Sequence, residues 1–296
     1  GFSVNNITEI GNSYTLKGFS GMNANIRPIL PDGYIIKKWD VTTDTTLSYT
    51  TQALNVKLKG DTINVDLTIA EDTYDKPTIV INEICANSNN FIEPDSKTSS
   101  DWIELYNTGN DYVNVAGFYL SDNDTTIKIA SGYEMTNIPP KGHLLLWADD
   151  KGKSGAQHLP FKLSSAGETI KLEKRVRDSV ILVDKVTYSS IQEDYSYGRE
   201  KDGSSKFTTF AACPNSEFSE ATPGEENGKY NCETILDELT YNVNLACSFD
   251  RAKYNMNGKE VGPNKVNTYI LKGKTLTVSP ILPTKAYFVR WELSTP

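Results

Sequence analysis

The stretch Asp101-Trp102-Ile103-Glu104-Leu105-Tyr106-Asn107 organises the middle of this 296-residue chain. Its side chains alternate, so the isoleucine and leucine fall on one face of a strand, and Trp102, Glu104 and Tyr106 fall on the other. This pattern predicts a half-buried β-strand with one face in a core and one facing solvent or a partner. Trp102, Glu104 and Tyr106 are therefore a candidate exposed binding patch for a protein or a carbohydrate. Ordinary cross-strand pairing is the commoner use of such aromatic residues.

Length and composition predict a multidomain all-β protein. A chain of 296 residues is longer than most single hydrophobic cores support. Its 38% hydrophobic and 23% charged residues are an ordinary globular balance. The 16 tyrosines, the many threonines and asparagines and the scarcity of helix-period segments favour strands. The net charge of −8 and the lack of a dense Lys/Arg block argue against nucleic-acid binding.

Turn signals and short alternating runs divide the chain into three parts. Residues 1–72 read as a small β module, and residues 77–228 read as a central β domain. Residues 235–296 read as a second small β module. The acidic segment 71–77, which ends in a proline, reads as a linker between the first two parts.

The two ends of the chain carry an internal repeat. Pro28-Ile29-Leu30-Pro31 recurs as Pro280-Ile281-Leu282-Pro283, and a tryptophan follows each copy. The pattern Gly-x-Thr-Leu-Thr-Val at 273–278 resembles the divergent internalin-type B repeats of bacterial surface proteins. The second copy ends just after its tryptophan. Either the natural protein continues, which we favour, or residues 239–249 supply the missing strand from upstream.

A series of sequence blocks in the central part carries a second resemblance. It begins with Ile79-Val80-Ile81-Asn82-Glu83-Ile84 and the stretch quoted above, and continues through blocks at 115–122, 138–148, 161–172, 183–188, 196–199 and 221–224. This series, in this order, resembles the bacterial form of the lamin tail domain. The resemblance implies an immunoglobulin-like β-sandwich. The residues themselves agree, since they predict eight to ten short strands separated by turns and no long helix.

The run Leu144-Leu145-Leu146-Trp147 follows a proline pair and is apolar at every position. Strands that are buried on both faces read as continuous apolar runs. The run therefore predicts a central strand of a sheet.

No motif in the sequence predicts catalysis or a cofactor. The two histidines, His143 and His158, are interpreted as structural or surface residues, and no Gly-x-Ser-x-Gly elbow is present. Asp122 and Asp124 have the short spacing that calcium loops use, but they lack the glycine and the downstream glutamate of an EF-hand. A turn stabilised by aspartate side chains explains them equally well.

The four cysteines include no C-x-x-C pair and lie near no histidine, which argues against a cysteine zinc site. Cys85 lies in an apolar run and is predicted to be a core thiol. Cys213 and Cys232 flank loop-rich sequence and could pair. Three connectivities remain open.

These observations favour a non-catalytic interaction or scaffold module of a bacterial secreted or cell-surface protein, with or without a lipoprotein anchor. Its partner is expected to be a protein or a glycan. A first alternative is the accessory region of a larger secreted enzyme. A second is nucleic-acid binding, which the chromatin association of animal lamin tails suggests and the acidic charge disfavours. No stretch has the length of a membrane span.

Overall fold

The computed structural model describes residues 1–9, 11–60, 62–73, 75–91, 98–152, 155–213, 218–234, 240–246, 253–262, 265–272, 275–284 and 287–292. In these residues the protein is nearly all β, which confirms the predicted fold class. The chain divides into two compact units. The first comprises Gly1–Phe210 and Ala221–Gly228, and the second comprises Ala211–Glu220 and Lys229–Pro296.

The first unit begins with a small module of two sheets. Its strands are β1 (Phe2–Val4), β2 (Ile7–Glu9), β3 (Asn23–Pro28), β4 (Tyr34–Thr42), β5 (Thr46–Tyr49), β6 (Leu54–Lys57) and β7 (Asn64–Glu71). One sheet has the order β2-β1-β3-β6 and the other has the order β5-β4-β7. Trp39 of β4 is fully buried beside Leu54 and Val56 of β6. Its indole N–H donates to the Thr51 carbonyl at 2.9 Å, so the ring is fixed by packing and by a hydrogen bond.

A sandwich of two larger sheets follows. Its strands are β8 (Ile79–Cys85), β9 (Asp101–Asn107), β10 (Val113–Asn114), β11 (Tyr119–Ser121), β12 (Thr126–Lys128), β13 (Asn137–Ile138), β14 (His143–Ala148), β15 (Glu168–Val176), β16 (Ser179–Tyr188), β17 (Ser196–Arg199) and β18 (Phe207–Phe210). One sheet has the order β14-β9-β8-β17-β18, and the other has the order β12-β11-β15-β16. Strands β10 and β13 form a short ribbon, and a 3-10 helix at Glu134–Thr136 precedes β13.

The sandwich core lies between these two sheets. Ile81, Ile103 and Leu105 from the first sheet belong to one buried cluster with Leu120 and Ile170 from the second. All five side chains are fully buried. Two antiparallel sheets packed over such a core form an immunoglobulin-like β-sandwich, as predicted.

Strand β14 lies at the edge of its sheet and not at the centre, so that prediction was wrong. Leu144, Leu146 and Trp147 are nevertheless buried. The reason is that a neighbouring segment runs along the open edge. The Trp147 N–H donates to the Gln157 carbonyl at 2.7 Å, and the Leu159 N–H donates to the Trp147 carbonyl at 2.8 Å. An apolar run indicates that both faces are covered, and it does not give the place of the strand in the sheet.

Side chains from both sides join the N-terminal module to the sandwich within the first unit. The Tyr119 hydroxyl of β11 donates to Asp32 at 2.7 Å, and Lys128 of β12 forms an ion pair with the same carboxylate. The Arg175 guanidinium lies over the Tyr119 ring at 3.8 Å from its centroid. Asp32 is thus held by two neighbouring strands of the sandwich.

Two further contacts join the same parts. The Lys174 ammonium is almost fully buried and lies 3.0 Å from the Asp72 carboxylate. The Glu134 carboxylate accepts the backbone N–H groups of Gln52 at 2.6 Å and Ala53 at 3.2 Å. Hydrogen bonds to a charged group are stronger than bonds between neutral groups, so each of these contacts restrains the module.

The second unit contains β19 (Thr240–Ala246), β20 (Lys253–Met256), β21 (Lys259–Val261), β22 (Lys265–Leu271) and β23 (Val278–Ile281). Strand β19 pairs with β22, and β20 lies between β21 and β23. A disulfide joins Cys213 to Cys232, with their Cα atoms 5.2 Å apart. This confirms the pairing that the sequence allowed. Cys85 is a buried free thiol, as predicted, and Cys247 lies outside the described residues.

The two copies of the internal repeat differ at their tryptophans. Trp39 is buried in β4. Trp291 is 43% exposed and lies in a described stretch, 287–292, that contains no strand.

Candidate functional site

The predicted binding patch is buried. Trp102, Glu104 and Tyr106 share one face of β9, as their alternation predicted, but Trp102 and Glu104 are 0% exposed and Tyr106 is 8% exposed. The prediction of an exposed patch was therefore wrong. The reason is that segments far along the chain cover this face of the sheet. Gly203 lies against Tyr106, Gly224 donates to Glu104, and Ala221 packs in the cluster of Trp102.

Trp102 lies in a second apolar cluster outside the sandwich core. The cluster contains Cys85, Trp147, Phe210 and Ala221. The ring of Phe91 meets the indole edge to face, with the centroids 5.6 Å apart. The indole nitrogen is buried and has no hydrogen-bond partner among the described residues. Trp102 therefore contributes through packing.

A β-bulge places two polar side chains opposite Glu104. The register between β8 and β9 shifts between Ile81 and Glu83, so Asn82 and Glu83 together oppose Glu104. All three polar side chains are fully buried. Buried carboxyl groups must find hydrogen-bond partners or protons, and the surrounding loops supply the partners.

Glu83 is held by donors from two other segments. The Ser196 hydroxyl donates to one of its oxygens. The Thr222 hydroxyl donates at 3.3 Å and the Thr222 N–H at 3.4 Å. Burial raises the pKa of Glu83 to about 7, although these hydrogen bonds pull it down. Gly198 of β17 lies against this carboxyl group, since a Cβ there would stand 2.8 Å from Glu83 Cγ.

Glu104 is held on both oxygens. The Asn82 amide donates to Oε1 at 2.8 Å and also to Asp202 at 2.9 Å. The Gly224 N–H donates to Oε2 at 2.6 Å. Burial raises the pKa of Glu104 well above its usual value, and the nearby Glu83 carboxyl raises it further.

His143 and Asp202 complete the polar cluster. The Nε2 atom of His143 lies 3.0 Å from Asp202 Oδ2 and 4.0 Å from Glu104 Oε1. Asp202 Oδ1 accepts the Asn227 N–H at 3.0 Å. Burial pushes the pKa of Asp202 up, but hydrogen bonds from His143, Asn227 and Asn82 outweigh burial and lower it. One potential ligand atom from each of Glu104, His143 and Asp202 lies within 4.8 Å of the other two.

The other candidate residues do not join this cluster. Asp122 Oδ1 accepts the Asp124 N–H at 2.8 Å, which is the aspartate turn considered as the alternative to calcium. Neither aspartate belongs to a convergent group of metal-ligand atoms among the described residues. His158 is buried, and its Nδ1 lies 2.7 Å from Asp149 Oδ2.

Sequence reasoning missed the cluster as a whole. One signal could have indicated it: Asn82, Glu83 and Glu104 are polar residues inside otherwise apolar strands. Polar residues at such positions are expected to be buried together with their partners. Asp202 and Asn227 lie in loops and carry no comparable signal.

Comparison with known proteins identifies the central part of the chain. Residues 72–190 match the family model described as Lamin Tail Domain. No curated protein and no solved structure gives a significant match. The predicted blocks at 196–199 and 221–224 lie beyond the matched range, but the first of them is β17 of the same sheet. The internalin-type resemblance of the flanking parts stays a prediction. The middle of this protein, built as an immunoglobulin-like sandwich, is a lamin tail domain.

Proposed function

We propose that the chain is a non-catalytic interaction and scaffold module of a bacterial protein that is secreted or displayed at the cell surface. The family match supports the first part, because an immunoglobulin-like lamin tail domain is compatible with an interaction module. Fold alone does not assign a function, so the proposal depends on how the parts of the first unit are joined.

The observation that carries the proposal is the attachment of the N-terminal module to the sandwich. The charged and hydrogen-bonded contacts of Asp32, Asp72 and Glu134 come from three separate places in the first unit. Such an attachment holds two β modules at a fixed angle. A fixed angle would set the relative positions of binding surfaces on the two modules.

The location outside the cytoplasm is supported by the Cys213–Cys232 disulfide. Disulfides persist in oxidising compartments and are rare in the cytosol. No helix among the described residues is long and apolar enough to cross a membrane. We propose that the protein is secreted or held at the outer surface, with or without a lipid anchor.

The absence of catalysis is supported by how the carboxyl groups are used. Glu83, Glu104 and Asp202 accept hydrogen bonds from backbone and side-chain donors of surrounding segments. These bonds hold loops onto the sheet. We therefore interpret the cluster as a structural element of the domain.

Binding without turnover tests this proposal. The full chain, labelled with a fluorophore, would be applied to a glycan array and to an array of extracellular proteins. We expect retention on at least one constituent and an unchanged mass of that constituent after prolonged incubation. A constituent that changes mass would contradict the non-catalytic role. Absence of retention on both arrays would contradict the interaction role.

A further inference from the structure

The geometry of the polar cluster points to a metal site, which goes beyond the scaffold role. We propose that Glu104, His143 and Asp202 bind one divalent transition-metal ion of the Zn²⁺ type. The ion would fasten the turn between β17 and β18, which carries Asp202, to the sheet edge formed by β9 and β14.

The three potential ligand atoms already converge. His143 Nε2 lies 3.0 Å from Asp202 Oδ2 and 4.0 Å from Glu104 Oε1, and one potential ligand atom of each residue lies within 4.8 Å of the other two. Zinc bonds to nitrogen and oxygen are about 2.0–2.2 Å long, so tetrahedral ligands lie roughly 3.3–3.6 Å apart. The two measured separations fall on either side of that range. Small side-chain movements would therefore close the coordination shell.

The surrounding residues hold each ligand in position. Asp202 offers Oδ2 while its Oδ1 accepts from Asn82 and Asn227. Glu104 offers Oε1, which also accepts the Asn82 amide at 2.8 Å, while its Oε2 accepts the Gly224 N–H. The His143 ring packs against Tyr106, with their centroids 4.9 Å apart. Metal ligands are oriented by such outer contacts, and loss of these contacts weakens metal binding.

The charge of the cluster also favours a cation. Three carboxyl groups, from Glu83, Glu104 and Asp202, are enclosed here. Among the described residues, the ion pairs of Glu104 and Asp202 are with His143, and Glu83 has no ion pair. Buried acidic groups are ordinarily neutralised by a cation or a proton. A divalent ion at Glu104 and Asp202 would take the place of the proton that burial otherwise favours on a carboxyl group here.

The ligand chemistry selects the class of ion. An imidazole nitrogen with two carboxylate oxygens suits zinc and its transition-metal neighbours, whereas calcium and magnesium prefer oxygen ligands alone. The His143 and Asp202 side chains are 14% and 13% exposed and Glu104 is 0% exposed. An ion can therefore enter from the His143 side, where water can complete its shell.

The tag-free full chain would be treated with a chelator, dialysed and titrated with Zn²⁺ in a calorimeter. The variants Asp202→Asn and His143→Gln would be compared with the wild type. Asp202→Asn keeps the size of the side chain and removes a charged ligand. We expect one Zn²⁺ per chain, a higher melting temperature with Zn²⁺, and an affinity at least about 100-fold lower in each variant. Ca²⁺ and Mg²⁺ at the same concentration should leave the melting temperature unchanged.

Asp149→Asn is the matched control. Asp149 also contacts a histidine, His158, but no third ligand converges there among the described residues. This variant should bind Zn²⁺ with the wild-type affinity. Visible absorption of the Co²⁺-loaded wild type should report nitrogen and oxygen ligation and needs no variant. Absence of stoichiometric binding, wild-type affinity in Asp202→Asn and His143→Gln, or loss of affinity in Asp149→Asn would each overturn the proposal.

Discussion

Replacing Trp102 by alanine is expected to lower the free energy of unfolding of the first unit by about 3–5 kcal/mol. The side chain is fully buried and packs against Phe91 and the cluster around Cys85. Its removal leaves a cavity whose lining loses contacts that water cannot replace. Urea unfolding followed by circular dichroism would measure the change.

Two further substitutions serve as comparisons for the loss of packing in Trp102→Ala. Trp102→Phe keeps an aromatic ring and removes an N–H that has no partner among the described residues, so it should cost about 1–2 kcal/mol. Trp291→Ala removes a tryptophan that is 43% exposed, and it should change the stability of its own unit by less than about 1 kcal/mol. If the Trp102→Ala variant were as stable as the wild type, Trp102 could not be buried as described. The prediction of an exposed patch would then stand.

The stability of the first unit is expected to fall as pH rises through the interval between the ordinary pKa of a glutamate and about 7. Burial raises the pKa of Glu83 from 4.5 to about 7 in the folded chain. Between these values the folded chain holds a proton that the unfolded chain has lost, so protonation favours folding there. Above about pH 7 both states have lost the proton, and the full cost of burying the charge, roughly 3 kcal/mol, is present.

Glu83→Gln should remove the part of this pH dependence that Glu83 contributes. A glutamine keeps an oxygen for the Ser196 hydroxyl and stays uncharged at every pH. Unfolding free energies of both proteins would be measured at about pH 5 and about pH 8, with a chelator present to exclude metal ions. We expect the wild type to lose about 2.5 kcal/mol more than the variant between the two conditions. The same change at the exposed Glu200 is the control, and parallel profiles for wild type and Glu83→Gln would contradict the account.

The fold of the central domain followed from the sequence because its strands alternate clearly. The two faces of β9 were assigned correctly, with Ile103 and Leu105 in the sandwich core. The alternation could not predict that the other face of β9, which carries Trp102 and Glu104, is also covered by the protein. One donor to Glu104 is Gly224, which lies 120 residues further along the chain. A local pattern shows which residues share a face, but it contains no information on what covers that face.

The sequence could indicate buried polar residues in β8 and β9, but it could not show which distant residues join them. His143 and Asp202 are 59 residues apart, and a bulge at Asn82 sets the register that brings Glu83 opposite Glu104. A bulge changes the pairing by one residue, and the sequence here gives no turn signal for it. The three ligand types were visible in the sequence, whereas their convergence depends on tertiary structure.

The claim that the N-terminal module and the lamin tail domain form one rigid scaffold is tested most directly by electron–electron distance measurement in the full chain. Spin labels would be placed at Ser48→Cys in β5 and Lys185→Cys in β16, both exposed, in a Cys247→Ser background. Cys85 is buried and free, and burial raises the pKa of its thiol, so it should not react with the label.

A second pair, Thr126→Cys in β12 and Lys185→Cys, lies within a single sheet of the sandwich. The width of its distance distribution is the reference. The account predicts one distance for the Ser48–Lys185 pair, with a distribution as narrow as that of the reference pair. Several distances, or a distribution much broader than the reference, would show that the module moves freely and would contradict the proposed scaffold.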